Sequence, residues 1–233
     1  MVADVLAKVL ALPYDWHGAG TATNRVLGAI DAQRLRPLLH SAETGTARTT
    51  LLFSHASRDH LVFTIDDDGH GDTLERVRGS SVLAVDTTRF IVGPAQLTLP
   101  RQTFTDALDL VLLDGPHAFP YPCLEYLYFA PRVRTGGLLV VDDIHIPAVR
   151  ILAALLRKDA MWRCRTVVDH TRFYARTPAV AHDPLGDGWW LRGHNRASAP
   201  RATLTSTKAR AARRLKQAWR AGRGDDMHSN GGP

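Results

Sequence analysis

Four apolar runs in this chain each stop at an acid, and this repetition constrains the fold more than any other feature. They are LLHSAETG (38–45), LVFTIDDDG (61–69), DLVLLDGPH (109–117) and GGLLVVDD (136–143). A fifth run, RFIVGPAQ (89–96), ends in the turn pair Gly93-Pro94. Between the runs, residues 47–58, 72–85, the stretch PCLEYLYFAPRV and residues 147–159 carry helical patterning, the last with a proline in its first turn. Ahead of them, residues 3–12 read as a short helix stopped by Pro13, and residues 22–36 have helical spacing. Strands alternating with helices imply a parallel sheet covered on both faces, an α/β doubly wound domain. WRCRTVVDHTRFYART then reads as two strands around a tight turn at Asp169-His170-Thr171, so one terminal strand runs antiparallel.

Ligands of such sheets sit at the carboxyl ends of the strands, near the point where strand order reverses. Glu43, Asp66, Asp114 and the pair Asp142-Asp143 all fall there. A lone aspartate after a strand is commonly a helix cap. Four such positions, two of them doubled or followed by His117 and His145, point to a site instead. The first strand ends in Glu43, Thr44 and Gly45, and the glycine allows close approach of a ligand to the backbone. The order of Gly, Lys and Ser/Thr needed by a phosphate-binding loop is missing, and ETGTART holds one glycine where a dinucleotide fingerprint needs three. A carboxylate here repels pyrophosphate and suits a cationic, phosphate-free ligand. Asp66 is placed to accept hydrogen bonds from a ribose diol. Together they suggest a positively charged nucleoside, and S-adenosylmethionine is such a molecule.

The motifs as a set resemble the class I S-adenosylmethionine-dependent methyltransferases, on the side of the catechol O-methyltransferase-like, metal-dependent small-molecule enzymes. The resemblance covers roughly residues 14–177. ETG is similar to the family's first motif, with Thr49 where relatives often carry a second glycine. GPAQLTLP (93–100) is similar to the run that lies along the adenine, which makes Gln96 a cofactor contact, and LLDGPH and VVDD resemble the strand-four and strand-five motifs. The resemblance implies a Rossmann-like methyltransferase fold with a mostly parallel seven-stranded sheet and an antiparallel terminal hairpin strand. It implies cofactor contacts from Glu43, Thr44, Gly45, Asp66, Gln96 and Asp114. It also implies Mg²⁺ held by Asp114, Asp142 and Asp143, with His117 as the base and His145 as a further catalytic candidate. Oxygen ligands suit Mg²⁺. The expected reaction is O-methylation of a small-molecule hydroxyl on a natural product, sugar or phenol. Trp16, His17 and Thr21 fall where relatives have a lid. Trp189 and Trp190 are read as packing, and Tyr121, Tyr126 and Tyr128 as core or interface.

The formal charge of +6 is misleading about partners. Residues 201–223 hold eight Lys or Arg and no acid, which leaves 21 basic against 23 acidic residues in the rest. The expected organisation is a methyltransferase domain over 1–200 and a basic, mobile tail over 201–233, with 206–221 able to form a helix stopped by Gly222. A near-neutral body argues against a nucleic-acid binder. Two rivals remain: an RNA or protein methyltransferase docking through the tail, and an inactive binding module that keeps the fold. No apolar run reaches the ~18 residues of a membrane span and no signal peptide is read. Cys123 and Cys164 lack metal spacing and are expected to be packed as small apolar residues in a reducing cytoplasm. A homodimer is compatible with the sequence.

Overall fold

The computed structural model describes residues 2–13, 21–34, 36, 38–66 and 72–180. Trp16, His17, Trp189, Trp190 and the basic tail with its expected helix lie outside these residues. Among the described residues, no helix is long and apolar enough to cross a membrane.

The elements follow in the order α1 (Val2–Leu10), α2 (Asn24–Gln33), β1 (Leu38–Thr44), α3 (Arg48–Ala56), β2 (Ser57–Thr64), α4 (Thr73–Arg78), β3 (Thr88–Val92), α5 (Ala95–Thr98), β4 (Leu108–Leu113), α6 (Tyr121–Phe129), β5 (Val133–Val141), α7 (Pro147–Leu156), β6 (Trp162–Val168) and β7 (Thr171–Arg176). They build one seven-stranded sheet in the order β3-β2-β1-β4-β5-β7-β6. β1 to β5 pair in parallel, and β7 pairs antiparallel with both β5 and β6. The doubly wound, mostly parallel seven-stranded sheet with an antiparallel hairpin is therefore borne out.

The apolar runs are continuous because both sheet faces are covered. Leu110 and Leu112 of β4 pack with Val26, Leu27 and Ile30 of α2 and Leu51 to Phe53 of α3. Val111 and Leu113 face the other way, with Phe129 of α6 and Val149, Leu152 and Leu156 of α7. Successive side chains of one strand thus feed two separate cores.

Several boundaries differ from expectation. β2 starts at Ser57, directly after α3, because Ser57 is buried and its hydroxyl pairs with that of Ser41. The expected helix over 72–85 shortens to α4, which stops before Gly79. β3 ends at Val92, so Gln96 belongs to the short helix α5. Cys164 is exposed on β6 and is not a packed residue; Cys123 is partly buried.

Candidate active site

The strand order reverses between β1 and β4, whose neighbours β2 and β5 extend the sheet in opposite directions. The turns that leave β1 and β4 meet there backbone to backbone. Gly45 has φ +84°, and a Cβ on it would lie 2.3 Å from the carbonyl oxygen of Asp114. Only glycine satisfies both conditions. Its N–H donates to Phe63 O at 2.9 Å, which ties the turn to β2 as well.

Beneath this turn Glu43 is fully enclosed. Its Oε2 accepts from the Thr49 hydroxyl at 2.7 Å, and its Oε1 accepts from the Thr50 hydroxyl and lies 3.2 Å from Nε2 of His60. Nδ1 of His60 lies 2.8 Å from the Ser41 hydroxyl. Glu43 therefore braces the β1–α3 turn from below. Thr49 is one of its donors. His60 was not anticipated; its only signal is a histidine directly before the apolar run Leu61–Phe63. Thr44 is buried too, and its hydroxyl links two elements: it donates to Glu125 Oε2 at 2.9 Å and accepts from the Asp114 N–H at 3.1 Å. Asp66, past the end of β2, and Gln96 are both exposed.

The second half of the site lies at the ends of β4 and β5. Asp114, His117 and Asp143 each offer one ligand atom, and these atoms lie within 4.8 Å of one another. Nε2 of His117 stands 3.5 Å from Asp114 Oδ1 and 3.5 Å from Asp143 Oδ2. Both approaches are long for a hydrogen bond, and this buried nitrogen has no hydrogen-bond partner among the described residues. Asp143 adopts a left-handed backbone at φ +52°. Asp142 differs from the other two. Its Oδ1 accepts from the Thr171 hydroxyl and from the Asp143 N–H at 2.9 Å, so a cation would draw on its other oxygen. The histidine thus stands among the converging carboxylates of Asp114 and Asp143. His145 is half-exposed, with Nδ1 3.5 Å from Asp143 Oδ1 and its ring centroid 4.2 Å from that of His170.

The electrostatics of the cluster favour added positive charge. Burial pushes the Asp114 carboxyl up to about 7, and the Asp142 and Asp143 carboxylates push it the same way. Burial also raises Asp142, against the hydrogen bond from Thr171. The Asp114 carboxylate beside His117 holds its imidazole above the usual histidine value. A cluster that holds protons this firmly is short of cations. The converging carboxylates and this charge deficit fit a divalent ion, and the unpartnered Nε2 of His117 stands beside them, free to take a proton.

Acids thus gather at the switch point of a doubly wound sheet, where ligands of such sheets bind. Residues 42–144 match the family described as a methyltransferase domain, a span that runs from β1 to just past the end of β5. No match was found among curated protein sequences. Among solved structures, the chain is similar to a protein from Klebsiella pneumoniae described as an O-methyltransferase, with 18% identity, a TM-score of 0.58, and coverage of 74% of this chain and 90% of that one. It is similar to the O-methyltransferase TomG from Streptomyces achromogenes, involved in tomaymycin synthesis and solved with S-adenosylmethionine, at 18% identity, TM-score 0.56, and 75% and 90% coverage. It is also similar to the cofactor-bound protein Rv0187 from MTB, at 16% identity, TM-score 0.54, and 75% and 87% coverage. The match over residues 42–144 and the shared fold bear out the resemblance seen in the motifs.

Proposed function

We propose that the protein transfers a methyl group from S-adenosylmethionine to a hydroxyl oxygen of a small molecule with the help of a divalent cation, Mg²⁺ first among them. The observation that carries this is the position of His117 Nε2, 3.5 Å from one carboxylate of the β4 end and 3.5 Å from one of the β5 end, with no other partner among the described residues. O-methyltransferases are among the proteins that share the fold, one of them solved with S-adenosylmethionine, and this supports the reaction class.

Methyl transfer is an in-line displacement from a sulfonium. The joined turns at Gly45 and Asp114 would form the floor of the cofactor site, with Asp66 placed to hold the ribose and Gln96 the adenine. Asp114 and Asp143 supply oxygens to a cation, and Asp142, pinned by Thr171, fixes the start of the β5–α7 loop and offers its free oxygen. When bound, the cation lowers the pKa of a coordinated hydroxyl. His117 takes the proton at Nε2, and Asp114 steadies the imidazolium that results. His145 lies on the solvent side of Asp143 and orients that carboxylate. General-base assistance of this kind contributes typically ~10²–10⁴ in rate.

Calorimetry with S-adenosylmethionine, followed by transfer of a labelled methyl group to a panel of phenols, catechols and sugars with Mg²⁺ or chelator, tests the proposal. Binding and Mg²⁺-dependent label transfer are expected. Full transfer in chelator removes the cation, and label on RNA or protein in place of small molecules moves the substrate class.

A further inference from the structure

Beside the cluster lies a carboxylic acid that the chemistry above does not use. Glu125 sits in the middle of α6 and is 1% exposed. Burying a carboxyl this completely is costly unless it is hydrogen-bonded or neutral. Its Oε2 accepts from the Thr44 hydroxyl at 2.9 Å, and the same hydroxyl accepts from the Asp114 N–H at 3.1 Å. Its Oε1 has no hydrogen-bond partner among the described residues and lies against Gly115, where a Cβ would come within 2.1 Å of it. Glu125 thus touches both turns of the crevice at once. Through Thr44 it holds the last residue of β1, at the cofactor turn; against Gly115 it holds the turn that carries Asp114 and His117. It also lines a small cavity with His117 and Asp142.

We propose that Glu125 is a positioning residue that locks the cofactor turn and the Asp114–His117 turn together through the Thr44 hydroxyl. The proposal rests on the reading of this crevice as the methyl-transfer site. Burial pushes the Glu125 carboxyl up to about 8, with Asp114 acting in the same direction, so it is neutral at neutral pH. A neutral acid keeps one oxygen as acceptor for Thr44 and adds no charge beneath a cluster already rich in carboxylates. Glutamine reproduces that pattern: its amide oxygen accepts from Thr44 and its NH₂ takes the place of the acid's O–H. Aspartate does not, because it is one methylene too short to reach Thr44 from the same helix position.

Two measurements on the full chain test the link. The first is the affinity for S-adenosylmethionine of Glu125→Ala, Thr44→Val and the double variant, with Glu125→Gln and Thr44→Ser as the conservative pair. Each of the first two is expected to weaken binding at least tenfold, the double variant no more than the worse single, and the conservative pair to stay within about threefold of the parent. The second is hydrogen exchange at the Asp114 amide, read by NMR without any ligand. It is expected to speed up more than tenfold in Glu125→Ala and Thr44→Val and to stay slow in Glu125→Gln. Unchanged exchange overturns the link, and so does a double variant whose losses multiply. Should Glu125→Ala not fold, Thr44→Val cuts the same link from the other end, and Thr44→Ser must restore it. If the parent chain does not bind S-adenosylmethionine, the proposed function fails, while the Asp114 amide still decides the role of Glu125.

Discussion

Nε2 of His117 lies 3.5 Å from Oδ2 of Asp143, so the loop after β4 and the loop after β5 meet at one nitrogen. With Asp114 on its other side, the imidazole is held above its ordinary value. A base must be deprotonated to act, so without a cation the rate should rise with pH through a value above ~6.5. A bound cation takes over the carboxylates, weakens their pull on the imidazolium and should move that rise to lower pH. NMR titration of the His117 ring with and without Mg²⁺ checks the sign; a value unmoved by Mg²⁺ would separate His117 from the ion. His117→Ala should retain Mg²⁺ binding within a few fold and lose ~10²–10⁴ in turnover, partly restored at high pH.

The fold was legible in the sequence because both faces of the sheet are buried. Leu110 to Leu113 must all be apolar when they serve two cores, and such runs stand out. The strand-end acids were legible for the same reason: a carboxylate after a buried run is conspicuous. Their division of labour was not. Asp142 is held by Thr171, 29 residues away on β7, and the neighbouring Asp143 takes a left-handed backbone, and neither pairing nor twist is written in the local sequence. Glu125 and His60 were invisible for a related reason. A helix of nine residues with one acid, or a strand with one histidine, has no period that tells a buried link from a solvated charge. Only the long-range pairings Thr44–Glu125 and Glu43–His60 assign them.

Thr171→Val should strip Asp142 of its hydroxyl donor while keeping the β-branched shape. Asp142 is 9% exposed, so the loss leaves a buried carboxylate with one remaining donor, the Asp143 N–H. A destabilisation of ~1–3 kcal/mol is expected, read as a lower denaturant midpoint at unchanged slope. Thr171→Ser should recover most of it. If Val and Ser behave alike, the hydroxyl does not hold Asp142.

Glu125 sets a pH signature on stability. Its carboxyl is raised from 4.5 to about 8 in the folded chain, chiefly by burial and then by Asp114, against Thr44 and His117. Between those values the folded state binds more protons than the unfolded state, so stability falls as pH rises through this window, by at most about 1.4 kcal/mol per pH unit for this one group. Asp114, raised to about 7, adds a slope of the same sign below that pH. Glu125→Gln removes the Glu125 share. Denaturation midpoints of parent and variant should therefore diverge as pH rises from about 4.5 to about 8, in favour of the variant, and run parallel above that. Parallel curves would show that Glu125 is ionised in the folded chain.

Asp66 is exposed just past the end of β2, on the same edge as the Gly45 turn. If it accepts hydrogen bonds from the ribose, Asp66→Ala should cost ~1.5–3 kcal/mol of S-adenosylmethionine affinity and leave the melting temperature close to that of the parent. Unchanged affinity in calorimetry would remove Asp66 from the cofactor site.

Two glycine-to-alanine changes should act in opposite directions. Gly28 lies within α2, and a Cβ there meets nothing within 4 Å. Gly28→Ala reduces the entropy of the unfolded chain without a clash, so it should stabilise by ~0.5–1 kcal/mol and leave the cofactor affinity unchanged. Gly45→Ala faces two costs. The left-handed backbone at φ +84° is unfavourable for alanine by ~1–2 kcal/mol, and the new methyl would sit 2.3 Å from the Asp114 carbonyl oxygen. Backbone cannot rotate away as a side chain does, so the β1 and β4 turns must part. That movement stretches the Thr44–Asp114 hydrogen bond and displaces the crevice floor as a unit. Gly45→Ala should therefore lower the melting temperature by several degrees and weaken S-adenosylmethionine binding by more than tenfold in the protein that remains folded. Loss of stability with full affinity would mean that the contact between the two turns supports the fold and does not shape the site.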